Sequence, residues 1–268
     1  MTDSRAAEFL ALHHTGSPLL LANAWDIGTA KAFAHLGFQA IATTSSGFAA
    51  ALGRHDSNVT ADEAIDHAAQ LAAGVDIPVN ADLEDGFAQD SAEVVRLYRR
   101  AADAGIAGAS IEDWDPVTGK IYPISQALER VQAAVEAAHS GALRMVITAR
   151  AENVLRAVGD LDMAIERLLA YQAVGADVLY APAVISAADI AELVAAVDLP
   201  VNVLALPGTP PVAQLAALGV ARVSVGGGFS LVSYGAVARA AQELLTDGTY
   251  GWWSVAGAAE AVRGAFDA

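Results

Sequence analysis

Residues 60–86, "TADEAIDHAAQLAAGVDIPVNADLEDG", contain the helix-to-strand unit on which the fold prediction rests. From Thr60 to Gly74 the apolar positions recur with helical spacing, and Thr60 with Glu63 forms a capping box at the start. Gly74 ends the helical run as a C-cap candidate. The apolar run at 78–84 then predicts a buried strand, so the stretch indicates a helix, a turn at glycine and a strand.

The same unit recurs along the chain. Eight β-branched or apolar runs alternate with helical stretches: "LLLANAW", "AIATTS", "PVNADLE", "GASIED", "RMVITARAE", "VLYAP", "PVNVLAL" and "RVSVGGG". Because no Pro- or Ser-rich linker divides them, we predict that residues 1–268 form one α/β domain, a (β/α)8 TIM-type barrel. A doubly wound open sheet is the rival fold, but it often carries a glycine-rich phosphate turn, and "LANAWDIGTA" has no G-x-G-x-x-G.

A C-terminal helical extension, about residues 245–268, is predicted to follow the last barrel helix. Its sequence "TYGWWSVAGAAEAVRGAF" would expose Trp252, Trp253 and Phe266 unless they pack on something. A partner subunit would cover them in a homo-oligomer, and the chain's own barrel is the alternative cover.

Composition narrows the class of partner. Hydrophobic residues make up 54% of the chain, which is enough for an ordinary core, and the net charge of −16 argues against a nucleic-acid or anionic-membrane surface. The partner is therefore expected to be a small ligand or another protein. The start lacks the pattern of a secretory signal, and carboxylates interrupt the apolar stretches, so we predict a soluble, cytoplasmic protein. The absence of cysteine excludes thiolate metal sites and cysteine nucleophiles.

Acidic residues gather where the predicted strands end. Because side chains alternate along a strand, Asp82 and Glu84 are expected to line the mouth of the barrel while Leu83 faces the helices. Glu112 ends the fourth strand, and Asp56 follows the second. Carboxylates that converge without neutralisation repel one another, so a divalent cation, Mg2+ or Mn2+, is the economical resolution. The alternative is that these acids are solvated loop residues, which is our interpretation of Asp85, Asp113 and Asp115.

Opposite charge and small polar groups are predicted around the same mouth. Arg150 ends the fifth strand, where its planar fork suits a substrate carboxylate or phosphonate, and an ion pair with a barrel acid is the alternative. Ser45, Ser46 and Gly47 can cradle a carboxylate or form a plain turn. The segment "VGGGFS" either binds a phosphate at a helix start or lets the last helix approach closely.

The connection at 113–125 is long for a strand-to-helix link, which usually takes about two to six residues. Since it starts beside Glu112, we predict a mobile lid over the mouth. Lys120 and Tyr122 are its candidate proton donors, and the alternative is a solvated lysine and a packing tyrosine.

Together the motifs "NAWD", "TTSSG", "GRHDSN", "ADLEDG", "SIEDW" and "ITARAE", in this order, resemble the isocitrate lyase/phosphoenolpyruvate mutase (phosphonomutase) superfamily. The resemblance implies Mg2+ at the top of a barrel, a dimer or tetramer that exchanges its C-terminal helix, and 2-oxo or 2-hydroxy acid substrates. It implies that Asp82 binds the metal directly. It implies water-mediated metal contacts for Asp56, Glu84 and Glu112.

The resemblance also implies roles at the substrate. The residues that would grip or border the substrate carboxylate are Trp25, Asp26, Ser45, Ser46 and Gly47, with Arg150 at its anionic group. The predicted catalytic residues are Arg150, Glu112, Lys120 and Tyr122. The implied chemistry makes or breaks a bond next to a carbonyl and stabilises an enolate-like oxyanion.

Two departures limit the reaction that the resemblance implies. Lyases of the superfamily carry a "KKCGH" or "KRCGH" loop whose cysteine is the acid, whereas this chain has "DWDPVTGKIYPIS". Mutases and phosphonopyruvate hydrolases carry an "EDK…NS" loop, and Trp114 stands where their lysine would be. We therefore predict a Mg2+-dependent C–C lyase or decarboxylase. The alternatives are a phosphonate enzyme, either a carboxyphosphonoenolpyruvate or phosphoenolpyruvate mutase or a phosphonopyruvate hydrolase, and a barrel that binds a metabolite without turnover.

Overall fold

The computed structural model describes residues 2–140 and 144–267. Eight parallel strands form its barrel: β1 (Leu19–Ala24), β2 (Ile41–Thr43), β3 (Val79–Asp82), β4 (Gly108–Glu112), β7 (Val146–Arg150), β8 (Val178–Tyr180), β9 (Val201–Leu204) and β10 (Arg222–Ser224). Two short strands, β5 (Trp114–Asp115) and β6 (Lys120–Ile121), pair as a separate antiparallel hairpin. The sheet closes in the order β1-β10-β9-β8-β7-β4-β3-β2. Because β1 pairs with both β2 and β10, the predicted barrel is confirmed and the open sheet is excluded.

Helices surround the strands or extend beyond them. Those before the hairpin are α1 (Thr2–Leu12), α2 (Ile27–His35), α3 (Ser45–Ala51), α4 (Ala61–Gly74) and α5 (Ser91–Asp103). Those after it are α6 (Ile124–His139), α7 (Leu161–Ala173), α8 (Ala187–Ala196), α9 (Val212–Ala217), α10 (Gly228–Thr246) and α11 (Trp253–Ala256), followed by a 3-10 helix at Gly257–Phe266.

The unit at 60–86 folds as its pattern predicts. Thr60 accepts the backbone N–H of Glu63, and the Glu63 side chain accepts the N–H of Thr60, which completes the capping box of α4. Ile65 and Leu71 are buried on the inner face of this helix. Gly74 ends α4 where a Cβ atom would collide with Ile27, so the missing side chain lets α4 approach α2.

Alternation along the strands separates two environments. Leu83, Ile111 and Ile147 are fully buried among the apolar side chains of the surrounding helices. Alternate positions carry polar side chains into the barrel interior, including Asn80 and Thr148. The main apolar core therefore lies between strands and helices, and the inside of the barrel is polar towards the C-terminal ends of the strands.

Helix α1 packs across the N-terminal ends of the strands. Phe9 is fully buried there in a cluster with Leu19, Leu21 and Val146. A Cβ atom at position 108 would lie 2.6 Å from the Phe9 ring, so Gly108 is needed for this contact. With that end filled, the opposite end of the barrel is the open one.

The C-terminal extension differs from the inner helices in its exposure. Helix α10 leaves Leu231, Val232, Val237 and Leu245 between 67% and 83% exposed, while the 3-10 helix packs against α2. Trp253 and Phe266 are exposed and Trp252 is half-buried. Among the described residues, no helix is both long enough and apolar enough to cross a membrane.

Candidate active site

A cavity of about 360 Å³ opens at the C-terminal ends of the barrel strands. Each of the eight strands contributes at least one lining side chain. In chain order these include Leu21, Thr43, Asp82, Glu112, Arg150, Tyr180, Asn202 and Arg222. This is the end of a parallel barrel at which active sites are found.

Asp82, at the end of β3, is held by donors from three neighbouring strands and loops. One carboxylate oxygen accepts the backbone N–H of Ser45 at 3.0 Å. The other accepts Arg150 Nη1 at 3.0 Å and the Ser110 hydroxyl at 3.3 Å. The Asp82 N–H itself donates to Thr43 Oγ1 at 2.8 Å. The carboxylate is therefore fixed in position at the edge of the cavity.

Glu84 leaves the strand in an uncommon backbone conformation. Its φ of 46° lies in the left-handed region, which costs a residue with a side chain some strain. The side chain is buried, and within the described part of the chain its Oε1 has no hydrogen-bond partner. Burial, together with the negative charges of Asp82 and Asp56, raises the Glu84 pKa from 4.5 to about 8. The chain thus holds an unsatisfied carboxyl group beside two other acids.

Arg150 lies among carboxylates at the end of β7. It contacts Asp82 at 3.0 Å, Glu112 at 2.9 Å and Glu152 at 2.8 Å. Burial opposes the charged form of Arg150, but these three acids outweigh it and raise its pKa well above the usual value. Burial also raises the pKa of Glu112, and Arg150 acts in the opposite direction. The ion pair anticipated for Arg150 is therefore present, while its contact with substrate stays a prediction.

The other predicted residues divide into two groups. Ser45, Ser46 and Asp56 line the cavity. Trp25, Asp26 and Gly47 are not among the lining residues. Asp26 instead caps α2 by accepting the N–H of Thr29 at 2.7 Å. A Cβ atom at Gly47 would lie 2.6 Å from Thr44 and 3.2 Å from Trp25, so these residues support the site through close packing.

The glycine segment after β10 also borders the cavity. Asn23, on β1, accepts the backbone N–H groups of Val225 and Gly226 at 3.1 and 2.9 Å. A Cβ atom at Gly227 would lie 2.5 Å from the Ser46 hydroxyl oxygen. The geometry favours the close-approach interpretation of "VGGGFS" over a phosphate site.

Two acids interpreted as solvated are buried, and that prediction was wrong. Asp113 accepts the N–H of Glu152 at 2.8 Å, Arg167 at 2.9 Å and the Tyr171 hydroxyl at 2.6 Å. Asp85 accepts the Tyr122 hydroxyl and an N–H of Arg130. Both carboxylates are buried because cationic and hydroxyl partners from segments distant in the sequence offset the loss of hydration.

The predicted lid at 113–125 is largely a hairpin. Asp115 closes its turn by accepting the Val117 N–H at 2.9 Å and the Thr118 hydroxyl at 2.6 Å. In this conformation neither Lys120 nor Tyr122 lines the cavity. Tyr122 is buried, donates to Asp85 at 2.8 Å and has a raised pKa because of burial and that acid. Its geometry corresponds to the packing alternative.

Sequence reasoning missed three charged residues of the site. Glu152 is fully buried behind Arg150, and its position two residues later in "VITARAE" was an available signal. Arg222 is buried at the bottom of the cavity, where it donates to Asn202 and Thr148. Burial lowers the Arg222 pKa to about 10. Arg156 lines the cavity from the loop after β7, and no periodic pattern marks it.

Comparisons with known proteins agree with this geometry. The family described as phosphoenolpyruvate phosphomutase matches residues 9–245. A crystal structure from Burkholderia cenocepacia J2315, provisionally named a lyase/mutase, superimposes with a TM-score of 0.90 at 44% identity, covering 94% of this chain and 91% of that one.

Two sequence relatives add to this finding. An uncharacterized protein of Mycobacterium tuberculosis (strain H37Rv) is 34% identical over 224 residues, 81% of each chain. The oxaloacetate decarboxylase of Chromohalobacter salexigens is 28% identical over 231 residues, 82% of this chain and 78% of that protein. The chain therefore belongs to the phosphoenolpyruvate phosphomutase family, and it is an enzyme of the isocitrate lyase/phosphoenolpyruvate mutase superfamily.

Proposed function

We propose that this enzyme is a divalent-metal-dependent lyase that cleaves a C–C bond, or removes carbon dioxide, from a small 2-oxo or 2-hydroxy carboxylic acid. The observation that carries the proposal is the set of carboxylates around Asp82 at the open end of the barrel. The likeness to an oxaloacetate decarboxylase supports a 2-oxo acid as the substrate class.

The acids of the cavity fit a hard divalent cation. Their oxygens are the donors that Mg2+ or Mn2+ prefers, and Glu84 Oε1 is buried without a hydrogen-bond partner in the part of the chain that the structure describes. No group of three or more His, Asp or Glu side chains within 2–140 and 144–267 is arranged to hold a metal as it stands. This is compatible with a single direct ligand, since Mg2+ usually keeps several of its waters. We assign direct contact to Asp82 and water-mediated contact to Asp56, Glu84 and Glu112.

Mg2+, when bound, would supply Lewis-acid polarisation of the substrate's oxygen atoms. The chain's own residues would do the rest. The hydroxyls of Ser45 and Ser46 border the cavity and would bind the substrate carboxylate. Arg150 would stabilise negative charge that develops on the reacting carbonyl, because its guanidinium lines the cavity next to Asp82, where we propose that the metal binds.

The proton donor is a separate question in a chain without cysteine. Lys120 is exposed on the hairpin, outside the cavity lining, so a role as the acid requires the hairpin to move. Tyr122 is already bonded to Asp85, and we no longer assign it a catalytic role.

A phosphonate enzyme is the second candidate, and the family match to phosphoenolpyruvate phosphomutase favours it. One experiment separates the candidates. The enzyme is incubated with Mg2+ and a panel of 2-oxo and 2-hydroxy acids, and products are followed by proton NMR. Phosphonopyruvate and phosphoenolpyruvate are followed by phosphorus NMR, and every reaction has an EDTA control.

The lyase proposal expects metal-dependent loss of a 2-oxo or 2-hydroxy acid. Turnover confined to the phosphorus compounds would replace it with the phosphonate alternative. Mg2+-dependent oxalate binding without turnover of any compound would instead favour a barrel that only binds a metabolite.

We further propose that a second copy of this chain covers the exposed apolar face of α10. The groove between α10 and α11 has a volume of about 390 Å³, and its apolar lining, which includes Val237, Trp252 and Val255, also contains Arg239 and Glu243. An exposed apolar surface of this kind is typical of an interface between subunits, and it contrasts with the chain's net charge of −16. A dimer or tetramer would bury it.

A further inference from the structure

Tyr180 contributes the one phenol among the described residues that line the active-site cavity. Neither histidine nor lysine occurs among those lining residues, so two of the usual proton donors of enzymes are not available there. The carboxyl groups of the lining are assigned to the metal, and arginine keeps its proton in proteins. Because serine and threonine hydroxyls are much weaker acids than a phenol, Tyr180 is the side chain of this lining suited to donate a proton.

The strand order puts Tyr180 across the cavity from the proposed carboxylate site. Tyr180 ends β8, and the serines at 45 and 46 follow β2. In the closed order β1-β10-β9-β8-β7-β4-β3-β2 these two strands are four steps apart in either direction, which is half of the way around the barrel. A substrate whose carboxylate lies at the serines would therefore direct its other carbon atoms towards β8.

Arg150 lies next to Tyr180 on the barrel wall. The two residues pair in register between β7 and β8, and the Arg150 guanidinium carbon lies 5.4 Å from the centroid of the Tyr180 ring. Burial raises the pKa of Tyr180 to about 12, while the charge of Arg150 acts in the opposite direction. The phenol thus keeps its proton at neutral pH, and Arg150 would stabilise the phenolate that remains after a proton transfer.

A series of hydrogen bonds orients the Tyr180 hydroxyl. Arg222 Nε donates to Asn202 Oδ1 at 2.9 Å, and Asn202 Nδ2 donates to the Ser224 hydroxyl oxygen at 2.9 Å. Ser224 in turn forms a side-chain hydrogen bond with Tyr180 that lowers the pKa of the phenol. A bond with this effect is one that the phenol oxygen accepts, so the proton of Tyr180 is left for a ligand in the cavity.

We infer that Tyr180 is the general acid that protonates the enolate in the proposed lyase reaction. The inference rests on the proposed function and supplies a proton donor for a chain that has no cysteine. When the C–C bond of a 2-oxo acid breaks, its electron pair becomes the double bond of an enolate. That pair then takes the Tyr180 proton to form the new C–H bond, the carbonyl re-forms, and the phenolate regains a proton from water.

The test follows proton transfer at the carbon atom. By microscopic reversibility, the group that protonates an enolate also removes a proton from the 2-oxo acid product. Pyruvate is therefore incubated with enzyme and Mg2+ in D2O, and the exchange of its methyl protons is followed by proton NMR against an EDTA blank. The wild type is compared with Tyr180→Phe, which keeps the ring and removes the hydroxyl. Tyr171→Phe is the matched control, because Tyr171 is a buried tyrosine of α7 outside the cavity lining.

We expect metal-dependent exchange in the wild type and in Tyr171→Phe. Exchange should be about 100-fold slower or more in Tyr180→Phe, which is the lower end of what general acid–base catalysis contributes. The Kd of oxalate with Mg2+, measured by calorimetry, should be the same in all three proteins, because removing an interaction made only in the transition state leaves binding unchanged.

An unchanged exchange rate in Tyr180→Phe would overturn the inference and leave the proposed function standing. The same holds for a wild type that turns over a 2-oxo acid but exchanges no methyl proton of pyruvate. Loss of oxalate binding in Tyr180→Phe would make Tyr180 a binding residue and would also overturn the inference. A wild type that neither exchanges pyruvate protons nor turns over any acid of the panel would overturn both proposals.

Discussion

Asp82 and Glu84 are two residues apart, yet their surroundings assign them different tasks. Asp82 accepts hydrogen bonds from Ser45, Ser110 and Arg150, so its charge is stabilised before any ligand arrives. Glu84 lies beside it and is buried, and its Oε1 has no hydrogen-bond partner among residues 2–140 and 144–267. This difference suits Asp82 to direct contact with a metal. It suits Glu84 to a site where its charged form becomes favourable only when a cation is near.

The raised pKa of Glu84 predicts a pH dependence of stability in the metal-free enzyme. The pKa of Glu84 is about 8 in the folded state, against an ordinary value of 4.5 for the unfolded chain. Between these pH values the folded state therefore binds a proton that the unfolded state has lost. Stability should therefore fall as pH rises through this window, by at most about 1.4 kcal/mol per pH unit from this group. Urea unfolding in EDTA at several pH values measures it, and Glu84→Gln should show a flatter profile. Identical slopes in the two proteins would contradict the assignment.

For single residues, the sequence predicts which side chains at the strand ends face the cavity better than it predicts their hydrogen-bond partners. Asp82, Glu84 and Glu112 line the cavity as strand alternation predicts. Asp85 and Asp113 were predicted to be solvated, because their partners Arg130 and Arg167 lie on helices far along the chain. The sequence next to each aspartate does not predict an ion pair with a residue so distant along the chain.

The elements that could be predicted are those with a periodic pattern. The eight strands and the capping box of α4 follow from apolar spacing and cap chemistry. The connection at 113–125 has no such period, so its length indicated a lid but not a hairpin. Asp115 is the residue that converts the loop into a turn, through bonds to Val117 and Thr118.

If the hairpin closes over ligand, its protease sensitivity should change. Lysine occurs in this chain only at positions 31 and 120, so an endoprotease specific for lysine has two sites. Lys120 is exposed on the hairpin and Lys31 lies in α2 as an internal reference. We expect cleavage after Lys120 to be slowed by Mg2+ plus oxalate while cleavage after Lys31 is unchanged. A Lys120→Gln variant verifies the site, and equal rates with and without ligand would rule out ligand-coupled closure.

The whole molecule combines a closed barrel with an apolar face on α10 and α11 that the barrel leaves exposed, while the 3-10 helix at Gly257–Phe266 packs against α2. Barrel closure follows from the eight strands that the sequence predicts. The cover of Trp252 and Trp253 could not be decided from sequence, because self-packing and partner packing demand the same apolar residues. The exposure of Val237 and Leu231 on α10 favours the partner.

The oligomer proposal predicts a change of mass from one substitution. Val237 is 67% exposed and lines the α10–α11 groove, so Val237→Glu should place a charge inside the interface and shift the enzyme towards the monomer. Val117→Glu is the matched control, because Val117 is 91% exposed on the hairpin. Light scattering after size exclusion measures the mass. A monomeric wild type, or an unchanged mass in Val237→Glu, would contradict the proposal.

Asp82 is proposed to hold a divalent cation on which ligand binding depends. Calorimetric titration of oxalate, a planar mimic of an enolate, in Mg2+ and in EDTA tests it most directly. We predict that the wild type binds oxalate only with Mg2+. Asp82→Ala should lose that binding while circular dichroism reports an intact fold, and Asp115→Ala, which removes an acid of the hairpin turn, should keep it. Equal Mg2+-dependent oxalate affinity in the wild type and Asp82→Ala would contradict the account.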